Sequence, residues 1–212
     1  MVRADYWSKF AGDFGREIRE ELLRGACTIY PAAYEAVQPY RPETAAWFQP
    51  LNRHALMRDT AAAIGERVPG VSVSFTPTVP NTTTYIELSA GGSTLTIATS
   101  VAAVDEMPRW AKHRAGKSAD INGDFFKTIT EPEGAYGILL CGPEVHFGAV
   151  AHAPAFVSIG IPASDYSEYI YTHHLFEEFP QAVVEVLGAS PAEIEQAYLE
   201  MRRERAERGR AG

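Results

Sequence analysis

A chain of 212 residues, 46% of them hydrophobic, carries enough apolar material for one sizeable core. Its 27 acidic and 19 basic side chains leave a net charge of −8, which disfavours nucleic acid as a partner. No apolar run nears the roughly 20 residues of a membrane-spanning helix, and Cys27 and Cys141 can form neither a disulfide framework nor a cysteine-rich zinc site.

The N-terminus, Met-Val-Arg-Ala-Asp-Tyr-Trp, has no apolar signal core, so a soluble cytoplasmic protein is expected. Tyr6, Trp7, Phe10, Phe14, Ile18 and Leu22 recur at helical spacing and predict one amphipathic helix that stops near Gly25. Pro31 is expected to open a short second helix, and residues 38–50, with three prolines, to form a loop carrying Tyr40, Trp47 and Phe48. A third helix is predicted from Asn52 to Arg67.

Val71, Val73 and Phe75 alternate with polar residues and predict a strand. The stretch from Tyr85 to Ser100 is the strongest local signal: Gly91-Gly92 lies between two alternating runs and suits a two-residue hairpin turn. That register sets Leu88 opposite Leu95 and Ile86 opposite Ile97, with Glu87 and Thr96 on a polar face. Asp105 is expected to cap a helix that closes at Gly116, and its basic run, Arg109 to Lys117, to be a solvated face. From Lys117 to Gly134 no period holds.

Tyr136 to Cys141 predicts a strand, Val145, Phe147 and Ala149 a further one, and Ala155 to Ile161 a last one. Ser164 or Asp165 is expected to cap a helix through Tyr169, Ile170, His173 and Phe176. Val183 to Leu187 suggests a short helix before Gly188. Ser190-Pro191-Ala192-Glu193 is a capping box opening a final helix whose apolar positions end at Met201. The expected fold is α+β: an antiparallel sheet of about five strands centred on the 85–100 hairpin, covered by N-terminal and C-terminal helices. Residues 1–191 form one domain in this reading, and 192–212 a terminal helix with a charged, fraying end.

Chemical signals are sparse. Asp120, Asn122, Asp124 and Glu131 occupy ligand positions of a calcium loop, but Phe125 stands where glycine makes the turn, so a polar turn is the better expectation. His146 and His152, on one continuous strand, would lie about 20 Å apart, too far to share an ion; a zinc site joining one histidine to a carboxylate stays open. Cys141 reads as a core thiol. Glu87-Leu88-Ser89 lacks the lysine of a nuclease Glu-x-Lys strand, and no phosphate-binding loop, dinucleotide fingerprint or nucleophile elbow occurs. The sequence therefore predicts a non-catalytic protein without a cofactor, acting on a protein partner, with self-association open. The alternative is a metal-dependent hydrolase, a phosphoesterase or nuclease, using Glu87, Asp105, Asp120, Asp124 and one histidine.

Overall fold

The computed structural model describes residues 5–77, 84–99, 103, 106–109, 111–123 and 132–211. The helical period that starts at Tyr6 is broken where Gly12 and Gly15 fall, so the one expected helix is two: α1 (Tyr6–Asp13) and α2 (Arg16–Val37). Arg19 ties the bend by donating to the carbonyls of Ala11 and Phe14. Gly25 does not end α2. A Cβ there would come within 2.6 Å of Thr60, so this glycine marks a close helix–helix crossing rather than a stop.

The expected aromatic loop is a turn only as far as Arg41 and is helical from Pro42 on. Pro42 occupies the first turn of α3 (Pro42–Arg67), where its missing N–H costs nothing, and the helix runs on through Pro50.

Strands β1 (Val71–Pro77), β2 (Thr84–Ala90) and β3 (Ser93–Thr99) form an antiparallel meander, with Leu88 opposite Leu95 as expected. In its turn only Gly91 has a positive φ, +57°. Gly92 serves a different purpose: a Cβ on it would lie 2.0 Å from the Glu133 carbonyl oxygen, so the turn meets the chain entering β4 backbone to backbone. Helix α4 (Lys112–Ile121) connects the meander to β4 (Tyr136–Cys141), which pairs parallel to β3. The helix lies later than expected and passes through Gly116, whose Cβ position is open. Asp105, its expected cap, lies outside the described residues.

The chain after β4 makes a separate hairpin, β5 (Glu144–Phe147) and β6 (Val150–Pro154), instead of one further strand. It returns to the main sheet as β7 (Val157–Pro162) and β8 (Tyr169–His174). The last of these was expected to be a helix. Asp165 instead accepts from the Ser167 N–H in a tight turn, and the chain reverses into an edge strand. The main sheet thus has six strands in the order β1-β2-β3-β4-β7-β8, antiparallel except for β3 and β4.

Helices α5 (Leu175–Glu178), α6 (Pro180–Leu187) and α7 (Pro191–Ala211) complete the chain. The capping box forms, with Ser190 and Glu193 exchanging hydrogen bonds. Among the described residues, seven helices and a mostly antiparallel sheet make an α+β fold, and no helix is long and apolar enough to cross a membrane.

The sheet is covered on both faces. Ile86, Leu88, Leu95, Ile97, Leu139 and Ile159 join the core built with α1, α2 and α3. The opposite face, expected to be polar, is buried too: Ala98, Tyr136, Ile138 and Leu140 pack with Ala115 and Ile121 of α4. Thr96 is 1% exposed there and shares a hydrogen bond with the Tyr136 hydroxyl at 2.7 Å.

Candidate metal centre

The β5–β6 hairpin gathers three ligand-type side chains. Glu144 and His146 are two residues apart on β5, so strand alternation sets them on one side. Across from them the ladder slips: Val145 pairs with Ala153, but Phe147 pairs with Val150. Two residues, Ala151 and His152, therefore face His146 alone, and His152 takes a φ of +50°. Few non-glycine residues adopt that conformation, and bulges of this kind re-aim side chains. Here the result is that the His146 and His152 rings lie 5.7 Å apart and nearly parallel. The expected separation of about 20 Å fails because the chain reverses at Gly148-Ala149 instead of continuing as one strand.

One ligand atom from each of Glu144, His146 and His152 lies within 4.8 Å of the others. The scaffold around them is extensive. Glu144 Oε1 shares a hydrogen bond with His152 Nδ1 at 2.5 Å, while Oε2 accepts from Gln49 at 2.6 Å and Arg53 at 3.0 Å. Tyr34 of α2 stacks on His152, and the Tyr30 ring lies under the Arg53 guanidinium, 4.9 Å away. The Tyr30 hydroxyl donates to the Gly142 carbonyl, and the His146 N–H reaches Met201 Sδ of α7. Helices α2, α3 and α7 thus all brace the hairpin, and His146 stays exposed on the open side.

No family model, curated protein or solved structure matches this chain. The site must be read from its own chemistry.

Two imidazole nitrogens and a carboxylate oxygen suit zinc and its transition-metal neighbours. A tetrahedral ion with bonds of about 2.0–2.2 Å sets its ligands about 3.3–3.6 Å apart, so the three groups need close only modestly. For His152 to hold an ion through Nδ1, its contact with the Glu144 carboxylate would have to open and that nitrogen be presented without a proton. Arg53 acts in two directions: it orients the carboxylate through Oε2, and its charge opposes a second cation nearby.

Of the residues expected to form a site, Glu87, Asp120 and Asn122 lie among the described residues, each in surroundings of its own. Glu87 is buried on β2 and pairs with Lys117 at 3.1 Å, so acid and lysine meet from strand and helix rather than along one strand. Asp120 is exposed on α4, while Asp105, Asp124 and Glu131 lie outside the described residues. Asn122 is committed to the backbone: its amide donates to the carbonyls of Tyr136 and Pro162, and its oxygen accepts from the Tyr136 N–H. The basic run is a solvated face only in part: Arg109 and Lys112 are exposed, while two of its cations turn inward. Because α4 begins at Lys112, Lys117 turns to Glu87 and Arg114 to the Ile97 carbonyl.

His173 stacks on Trp7 and bonds Glu178, which Arg19 also holds, and His174 shares a hydrogen bond with Ser158. Burial pushes the Cys141 thiol up to about 12, which removes it as a nucleophile at neutral pH. Glu144 was missed altogether; the available signal was Glu-x-His followed by a glycine turn and a second histidine.

Tyr40, in the turn before α3, and Trp47, Phe48 and Leu51 on its N-terminal half are between 41% and 65% exposed. Tyr40 stacks on Phe48, and Trp47 meets Phe48 edge-on. These three aromatics thus lie on each other and face water.

Proposed function

We propose that the protein is a metal-dependent hydrolase whose ion is held by Glu144, His146 and His152. The observation that carries this reading is the convergence of the three groups through the bulge at His152. Structural zinc sites are closed by four protein ligands, whereas three ligands and an open side are the pattern of catalytic ones. Such an ion lowers the pKa of its bound water to about 7, supplying a nucleophile at neutral pH. The ligand set differs from the carboxylates expected from sequence, but the reaction class is the same.

The test is a zinc titration by calorimetry, followed by assays on activated carboxylic and phosphate esters. The expected result is one ion per chain, with affinity about 10–100-fold weaker after Arg53→Met, which removes the brace on Glu144, and lower still after His152→Ala. Hydrolysis should stop with chelator and return with zinc. Binding unchanged by His152→Ala would sink the proposal.

A second reading, a non-catalytic protein acting on a protein partner, is favoured by the exposed aromatic face of α3, since clustered exposed apolar side chains mark interaction sites. Trp47→Ala with Phe48→Ala should then abolish partner recovery from cells without lowering the melting temperature. A wild-type recovery pattern would remove this reading.

A further inference from the structure

We propose that the cleft between α3, β2 and α4 is a binding site for a small oxyanion of the phosphate class. It encloses about 200 Å³ and is lined by His54 and Arg58 of α3, Tyr85 of β2, and His113 and Arg114 of α4. In a chain of net charge −8, two guanidinium groups converge on one cleft, and no carboxylate lines it among the described residues. Glu87, whose charge reaches His113, is already paired with Lys117.

The cations are fixed in place but not used up. Arg58 is anchored by one nitrogen, Nη2, which donates to Thr84 Oγ1 at 2.7 Å, and Arg114 by two, Nη2 donating to the Ile97 carbonyl at 3.1 Å and Nη1 to the Arg109 carbonyl at 3.4 Å. The Nε of both arginines and the Nε2 of His113 are shielded from solvent without a partner among the described residues. His113 is held by stacking on Tyr85 at 3.9 Å, and His54 by a hydrogen bond shared between Nδ1 and Thr99 Oγ1. Buried polar groups in folded proteins are almost always satisfied, and guanidinium geometry matches oxyanions. Burial and the charge of Arg114 hold His113 down to about 4, and burial with Arg58 and Arg114 likewise lowers His54. An anion between them would relieve the opposing charge. The volume falls below the roughly 300–1,000 Å³ of pockets that enclose drug-sized ligands, so the cleft takes a head group rather than a large molecule.

The site lies apart from Glu144, His146 and His152 and does not depend on the hydrolase reading. The test is calorimetry on the full chain with inorganic phosphate, sulfate and acetate, in chelator and at ionic strength fixed with chloride. Phosphate and sulfate should bind saturably and acetate weakly, with affinity falling about tenfold in Arg114→Gln and in Arg58→Gln. Circular dichroism checks each variant, and Arg58→Gln carries the test if Arg114→Gln does not fold. Glycerol phosphate binding more tightly than inorganic phosphate would identify a phosphorylated metabolite as the ligand; equal affinity would identify the free ion. A response that chloride reproduces, or phosphate binding that survives both substitutions, would overturn the proposal.

Discussion

Asn122 donates twice and accepts once without meeting solvent, and its own carbonyl accepts from the Tyr6 hydroxyl. One side chain therefore joins the end of α4 to β4 and β7. Asn122→Ala strands one buried donor and two acceptors, each costing about 1–3 kcal/mol, so a loss of about 3 kcal/mol or more is expected in urea unfolding. A loss under about 1 kcal/mol would mean that the backbone finds other partners. The titratable residues lead to an acid-labile fold. Burial alone would raise Glu178, but the hydrogen bonds of Arg19 and His173 outweigh it and hold the carboxyl below its ordinary range. That stability is present above the unfolded value of 4.5 and is lost as pH falls through the folded one. His113 acts in the same direction: between 6.5 and about 4 the unfolded chain takes up a proton that the folded chain refuses. The melting temperature should fall steadily from pH 7 to pH 4, and Glu178→Gln should flatten the lowest part of that curve. A flat profile would refute both assignments.

At the level of elements, the sequence was legible where a local pattern had one solution. The Gly91-Gly92 hairpin and the Ser190 capping box were such cases. It misled where glycine had two meanings. Gly25 and Gly116 read as helix stops, yet one sits at a helix crossing and the other faces open space within α4, and only the tertiary partner separates these from a terminus. The period of Tyr169, Ile170, His173 and Phe176 fitted a helix, but pairing with β7 decided the matter. The candidate metal centre was harder to read for a related reason: Glu-x-His, a glycine and a second histidine were visible, but the slipped ladder that aims His152 at His146 leaves no local pattern of its own. These glycines provide a paired test. Gly116→Ala should raise stability by about 0.5–1 kcal/mol through helix propensity. Gly134→Ala would set a Cβ 1.9 Å from the Gly92 carbonyl oxygen and should destabilise by about 1–3 kcal/mol or more. Similar melting temperatures for the two variants would contradict this packing.

Across the whole molecule, α3 turns one side to the hairpin through Gln49 and Arg53 and another to the basic cleft through His54 and Arg58. Neighbouring residues of one rigid element thus serve two separate places. The parallel pairing of β3 with β4 has a consequence for how the chain reaches this state. The β2–β3 hairpin closes over two residues, whereas β4 arrives only after residues 100–135 have crossed over, and closing long loops slows folding. Until then β3 has an unpaired side, with Leu95 and Ile97 in a strand open to pairing with another chain. Thr94 N–H meets the Ala135 carbonyl and Ser93 Oγ accepts from the Ala135 N–H, where the backbones of Gly92 and Gly134 touch. Were β4 captured first at that junction and zipped along β3, a slower capture would leave a refolding chain exposed to aggregation for longer.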